Sequence, residues 1–364
     1  MRKNVRTAII VLVALIGGGA IGFVITGFAT SGTIEESFTF HYQDVPSSME
    51  DLTLDVGLGT LDIRYNTSNT PYLVKIDVDM KISGLFMANR DYAEFFGPST
   101  DWWQNTTFPP ITFRLDPLPQ TWFNPTFWFK SYDIDVYVTL RTDVVYKINA
   151  DTGTGSISMT TSNNVILNDL SLSSGTGSID LSVSDNTTIQ DTLDLDAGTG
   201  SIYLYGKSAN FSKGLLVDAG TGSIVANLSN SIIGSDIALS TGTGSINFKT
   251  YHMEYTKNSA WSLSAGTGSI DIVINQHALM GANVTGTIST GTGSINIIYI
   301  DTSASVGASF YGSTGTGSYN RINTLGFTPT NSNPFRSLDF PTTYNYDFNI
   351  NTGTGSITVN GSSN

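Results

Sequence analysis

The sequence predicts an all-β protein: a single-stack β-solenoid of about ten coils, each of 22–25 residues, preceded by one transmembrane α-helix. Three observations predict it. The tetrapeptide Gly-Thr-Gly-Ser recurs nine times at a near-constant period, apolar residues alternate on both sides of each copy, and one uncharged stretch of 22 residues stands near the N-terminus.

The repeat comes first. Copies begin at Gly153, Gly175, Gly198, Gly220, Gly242, Gly266, Gly291, Gly315 and Gly353, with spacings of 22, 23, 22, 22, 24, 25, 24 and 38 residues. The second glycines of these corners are Gly155, Gly177, Gly200, Gly222, Gly244, Gly268, Gly293, Gly317 and Gly355. In one unit Leu170, Leu172 and Ser174 precede the corner, and Ile179, Leu181 and Val183 follow it. Alternation of this kind marks half-buried strands. The inward set is even-numbered before Gly175 and odd-numbered after it, so a corner must separate the strands. Two glycines two residues apart suit one, because glycine accepts positive φ. Each unit thus reads strand, corner, strand, then a loop of about eight residues. A propeller blade needs about 40–45 residues, so a 22-residue unit fits a stacked coil instead. Such a unit cannot bury its apolar side alone, and stability becomes a nearest-neighbour sum along the stack.

Composition agrees. Charged residues make up 13% of the chain, about half the usual share, while Gly, Ser, Thr, Asn and aromatics abound. The formal charge is −13 and no basic stripe is present, which argues against a nucleic-acid partner. There is no cysteine, so disulfides and thiolate metal sites are excluded.

The N-terminal stretch, residues 8–29, would span roughly 33 Å as a helix, enough for a bilayer core. Arg2, Lys3 and Arg6 precede it, and Glu35 and Glu36 follow. The positive-inside rule then places residues 1–7 in the cytoplasm and the bulk of the chain outside the cell. The expected localisation is the cell membrane, single-pass. A cleaved signal peptide ending near Ala29 is the alternative reading, and it also exports the rest of the chain.

Between anchor and array the expected organisation is a linker over 30–48, first solenoid coils over 49–85, an aromatic and Pro-rich insertion or cap over 86–130, and the repeat solenoid over 131–360. A decayed tenth copy, Gly57-Leu58-Gly59-Thr60, lies between Leu52-Thr53-Leu54-Asp55-Val56 and Leu61-Asp62-Ile63 and is read as the first coil. Val74, Ile76 and Val78, and later Ile134, Val136 and Val138, alternate and are expected to complete early coils. The 38-residue gap before Gly353 implies a surface loop over 320–343, with Pro329, Pro334 and Pro341.

The paired glycines, such as Gly198 and Gly200, and the apolar residue after them, such as Ile202, resemble the adhesin-like, toast-rack family of bacterial and archaeal envelope proteins. The resemblance covers about 50–80 and 131–360. It implies a β-solenoid that often follows a membrane segment, and a domain without an assigned activity. Where the family commonly shows a Gly-Asp corner this chain has Gly-Ser, and Asp62 is the nearest echo of that acid.

Candidate chemistry is sparse. The corner threonines, from Thr154 to Thr354, form a ladder that reads as structural. Asp196 and Asp218, two residues before their corner glycines, are stacked carboxylates expected on a solvated face, with a weak calcium site as the lesser alternative, and no metal site is assigned. Trp102, Trp103, Trp122 and Trp128 cluster in the insertion and are expected to cap the solenoid end, with a partner- or glycan-binding surface and contact with the membrane interface as the alternatives. His41, His252 and His277 are scattered without metal-ligand spacing, and no serine elbow, phosphate loop or cysteine nucleophile is present. The expectation is therefore a non-enzyme without cofactors. It would act as a surface structural or adhesive binding module, with the membrane, glycans or envelope proteins as partners. A sensory or regulatory subunit of an envelope-stress system is the alternative.

The anchor is directly testable. The full chain should stay with membranes through alkaline carbonate extraction, and a form lacking residues 1–30 should be released. Release of the full chain would remove the anchor.

Overall fold

The computed structural model describes residues 31–43, 49–66, 71–104, 110–119, 130–277, 280–303 and 305–363. The stretch 8–29, expected as a transmembrane helix, lies outside them. Among the described residues no helix is long and apolar enough to cross a membrane.

The predicted unit is present in every repeat. In the Gly198 coil the strand Leu193–Thr199 buries Leu193, Leu195 and Ala197; the strand Ile202–Lys207 then buries Ile202 and Leu204. The parity switch occurs at the second glycine, where Gly200 has φ +150°. Its N–H donates to the Thr221 carbonyl of the next coil at 2.8 Å. A Cβ on Gly200 would stand 1.9 Å from the Gly177 carbonyl oxygen. The isoleucine after the serine is the first residue of the following strand, and Ile157, Ile179, Ile202, Ile224, Ile246, Ile270, Ile295 and Ile357 are all at most 1% exposed.

Side chains complete the corner. The Ser223 N–H donates to Ser201 Oγ at 3.2 Å, and the same link joins Ser178 to Ser156, Ser201 to Ser178 and Ser245 to Ser223. Serine recurs there because its hydroxyl accepts a backbone donor that the bend leaves without a carbonyl. One residue before the first glycine, an inward hydroxyl caps a glycine carbonyl: Ser174 on Gly155, Thr241 on Gly222 and Thr290 on Gly268, at 2.8–2.9 Å. Ala197, Ala219 and Ala265 occupy that position in other coils.

The expected eight-residue loop contains a second bend and a third short strand. Asn164, Asn186, Ser208, Asn230 and His252 all have φ between 49° and 62°. After them Ile166–Leu167, Thr188–Ile189, Asn210–Phe211, Ile232–Ile233 and Glu254–Tyr255 pair in parallel. Leu167, Ile189, Phe211, Ile233 and Tyr255 fill the interior at 0% exposure. In the wider later coils the interior takes larger rings. Trp261 packs on Phe248 at 4.9 Å and Phe348 at 5.3 Å, and Gly286, beside it, has no room for a Cβ.

The corners form one column, yet its order departs from chain order at both ends. The Gly57 coil pairs directly with the Gly153 coil, while the strands Ile111–Leu115 and Lys130–Arg141 lie on its other side. At the far end the strand Tyr344–Thr354, with its Gly353 corner, lies between Val284–Thr292 and Val306–Thr316. The Gly315 coil is therefore outermost, although the Gly353 coil comes last in sequence. Both terminal repeats gain a neighbour on each side, which suppresses fraying at the ends.

The caps correct four expectations. The expected linker 30–48 contributes the strand Gly32–Tyr42, antiparallel to Val74–Gly84. Val74, Ile76 and Val78 do not build a coil, because their strand runs antiparallel to Lys130–Arg141 and so ends the parallel stack. The insertion 86–130 is partly solenoid, since Ile111–Leu115 continues the parallel ladder beside Glu50–Leu58; the short helix Ala93–Phe96 covers the end with Phe95 and Phe96 buried. Of the expected loop 320–343, residues up to Leu325 belong to the strand Tyr319–Leu325. The remainder folds over the open end, where Phe327 stacks on Phe335 at 4.7 Å.

Gly200→Ala should cost at least about 3 kcal/mol, because both the φ angle and the Gly177 carbonyl exclude a methyl group. Thr199→Ala, at an exposed position of the same corner, should change stability by less than about 0.5 kcal/mol. Urea unfolding followed by circular dichroism compares them, and equal midpoints would refute the corner argument.

Candidate functional site

The outer faces of the coils are where function can reside, since the corners serve the stack. The corner glycines Gly153 and Gly155, Gly175 and Gly177, and their counterparts are consumed by carbonyl contacts with the neighbouring coil. Thr154, Thr176, Thr199 and Thr221 are exposed in a row, one coil apart in parallel register. They present a ladder of hydroxyls to solvent.

One groove breaks the regularity. Its walls lie on three successive coils beside the second bend, Asn163 of the preceding coil adds to its edge, and its volume is about 430 Å³. Ser182, Ser184 and Asp185 line it from one coil, Tyr205 and Lys207 from the next, and Asn227 and Ser229 from the third. These residues meet because the register sets Ser182 beside Tyr205 and Tyr205 beside Asn227. Tyr205 is 40% exposed, and Tyr203, on the same outward face of the strand, is 36% exposed. Lys207 Nζ lies 3.4 Å from Asp185, across the coils, leaving both heads accessible at the rim. Asn227 Oδ1 is covered and has no hydrogen-bond partner among the described residues. The groove thus combines an aromatic face, amide and hydroxyl groups, and one ion pair. That set can stack on and hydrogen-bond to a polyhydroxylated ligand.

Sequence reading did not single out this groove, although a signal was present. In Ile202-Tyr203-Leu204-Tyr205 the inward parity belongs to Ile202 and Leu204, so both tyrosines had to point outward. Other coils carry mainly polar residues there, such as Asp180 and Ser182.

The stacked carboxylates sit as the repeat predicts. Asp196 lies beside Asp218, with Ser173 on the other side and Asp151 beyond it. Partial burial, and then the charges of Asp218 and Asp151, raise the Asp196 carboxyl above its ordinary value. Asp194 is raised by burial and then by Asp196. Among the described residues no group of three or more His, Asp or Glu side chains could hold a metal ion.

The aromatic candidates separate. Trp102 is 2% exposed, its ring edge-on to Phe38 at 4.9 Å, and its Nε1–H donates to the Phe96 carbonyl at 3.1 Å. It is a core residue of the cap and offers no face to a partner, because its ring closes the apolar end of the solenoid. Trp103 is half-buried against Phe40. Trp122 and Trp128 lie outside the described residues. The histidines are not all scattered: His252 and His277 meet at 4.9 Å between ring centroids, because the register that sets Tyr251 beside Asn275 brings the following residues of the two coils together. His277 also contacts the Thr302 hydroxyl.

No family model and no curated protein matches the chain. Among solved structures it is similar to a proposed cell-adhesion protein from Clostridium sporogenes, with 13% identity over 90% of this chain and 99% of that one, at a TM-score of 0.22. It is also similar to a proposed adhesin from Bacteroides fragilis, with 12% identity over 89% and 97% of the two chains, at a TM-score of 0.34.

The aspartate column makes a signed prediction. A carboxyl whose folded pKa is raised binds its proton more tightly in the folded state, so stability falls as pH rises through that range. Asp196→Asn should therefore raise the urea midpoint at pH 7 and leave it nearly unchanged at pH 3. A lower midpoint at pH 7 would contradict the repulsion.

Proposed function

We propose that this chain is a membrane-anchored, extracytoplasmic β-solenoid that acts as a non-catalytic surface structural and adhesive module, with carbohydrate as the ligand class of its groove. The observation that carries the reading is the groove at Tyr205, where an exposed ring lies among Asn227, Ser182, Ser229 and the Lys207–Asp185 pair. A sugar ring buries its C–H face on an aromatic side chain while its hydroxyls replace water on amides and carboxylates. The groove is shallow and open, which suits weak, reversible contact. Many chains anchored side by side would convert weak contact into avidity.

The rest of the architecture supports the same role. A stack stabilised coil by coil holds its outer faces rigidly away from the membrane, and its long hydroxyl ladder needs no loop to position it. The stretch 8–29 supplies the anchor, and the charges around it orient the chain outward.

A glycan array probed with the detergent-solubilised full chain tests the proposal. Binding to a subset of glycans is expected, and Tyr203→Ala with Tyr205→Ala should weaken it about tenfold or more while leaving the circular dichroism unchanged. Absence of glycan binding, or binding indifferent to both tyrosines, would discard it.

A further inference from the structure

The solenoid interior is apolar along most of its length, and one region at the Gly315 end departs from this. Asp301 ends the strand Ile295–Asp301 at an inward position and is 2% exposed. Ser362 pairs with Ile300, so the next residue, Ser363, comes to lie beside Asp301; it too is 2% exposed. Tyr299, two residues back on the same inward row, is 0% exposed. Asp339 approaches from the capping loop, next to Leu338, whose N–H bonds the Gly326 carbonyl at 2.8 Å. The loop is pressed onto this corner: the Ser363 N–H bonds the Leu325 carbonyl at 2.9 Å, and Gly326 lies too close to Ser363 for a Cβ.

These side chains leave a set of buried oxygens unanswered. Asp301 Oδ2, both carboxylate oxygens of Asp339, Tyr299 Oη and Ser363 Oγ are all covered, and none has a hydrogen-bond partner among the described residues. Asp301 Oδ1 accepts one bond, from the Ser303 N–H at 2.7 Å. The groups that act on Asp301 are the Ser303 and Thr302 N–H donors, the Tyr299 hydroxyl and the Asp339 carboxylate; no cationic side chain is among them. Buried carboxylates are normally paired, hydrogen-bonded or bound to a metal, because desolvating a lone charge costs many kcal/mol. Here two acids share one covered space, and the donors that reach Asp301, the Ser303 and Thr302 N–H groups and the Tyr299 hydroxyl, are all neutral.

We propose that Asp301, Asp339 and Ser363 bind a calcium ion that fastens the capping loop to the last strand of the chain. Two carboxylates balance its double charge, and hydroxyl and main-chain oxygens complete an irregular, all-oxygen shell of the kind calcium accepts and magnesium does not. Only two acids take part, so this site lies apart from any clustering of three acidic groups. The site has a mechanical consequence. The Gly353 coil is threaded between the Gly291 and Gly315 coils, and the loop that returns the chain to that slot carries Asp339. Calcium would therefore hold closed the connection that keeps the terminal coil in place.

The test uses the full chain in detergent, stripped with chelator and then titrated with calcium chloride alone. Thermal unfolding should shift upward with calcium, and much less with magnesium. Asp301→Asn with Asp339→Asn should lose the calcium shift, and in chelator should be no less stable than the stripped wild type, because two uncompensated charges are gone. Should the double variant fail to fold, Asp339→Asn alone, on the loop, should raise the calcium concentration at half-response about tenfold or more. Asp196→Asn with Asp218→Asn should respond like wild type. No response of the wild-type chain to millimolar calcium, or an equal response in the Asp339→Asn variant, would overturn the proposal.

Discussion

At each corner the carbonyl oxygen of one glycine occupies the place where a side chain on the next coil would begin. Gly155, Gly177, Gly200, Gly222, Gly244, Gly268, Gly293, Gly355 and Gly317 each have φ between 142° and 152°, and each would place a Cβ within 2.0 Å of the neighbouring glycine carbonyl oxygen. Close approach lets the backbone ladder continue through a bend that would otherwise break it. The second glycine N–H reaches the threonine carbonyl of the adjacent coil at 2.8–2.9 Å, and the serine hydroxyls take up the next donor. Everything outside the corner hangs on that contact: the strands on either side inherit their register from it, and with the register they inherit their inward and outward faces.

A column fixed this tightly does not need to be filled in chain order. Each coil asks only that its neighbours present the same bend, so a terminal repeat can enter between two segments that are consecutive in sequence and hold them apart in space. The Gly57 and Gly353 coils both do so. The outermost positions then fall to segments that carry their own covers, the antiparallel strands and aromatic helix at one end and the Phe327–Phe335 loop at the other. Edge protection and end capping are thereby achieved by the same residues. It is also why the capping loop at the Gly315 end is placed over buried acids.

The outer faces carry little of this burden, which leaves them free to differ. Tyr203 and Tyr205 stand at positions where other coils carry residues such as Asp180 and Ser182, and the groove exists because three adjacent coils happen to be unlike each other there. A rigid scaffold with a locally irregular surface is a sound basis for recognition, because ordering the site costs little entropy.

The repeat and its parity determined a great deal alone: the glycine corner, the two long strands, the inward rows such as Leu193, Leu195 and Ile202, and the solvent-facing Asp196–Asp218 pair. These are local consequences of period two and of glycine's freedom at positive φ, and they need no partner to be read. The third strand was equally legible, since Leu167, Ile189, Phe211, Ile233 and Tyr255 recur every 22 residues, but its single apolar position per coil gives no alternation to notice. Tertiary structure alone decided which coil lies beside which, because every corner is chemically interchangeable and only the caps choose the order. For the same reason it alone buried Trp102, brought His252 onto His277, and gathered Asp301, Asp339 and Ser363 into one space. Those residues are distant in sequence, and their meeting depends on which turn of the stack each one reaches.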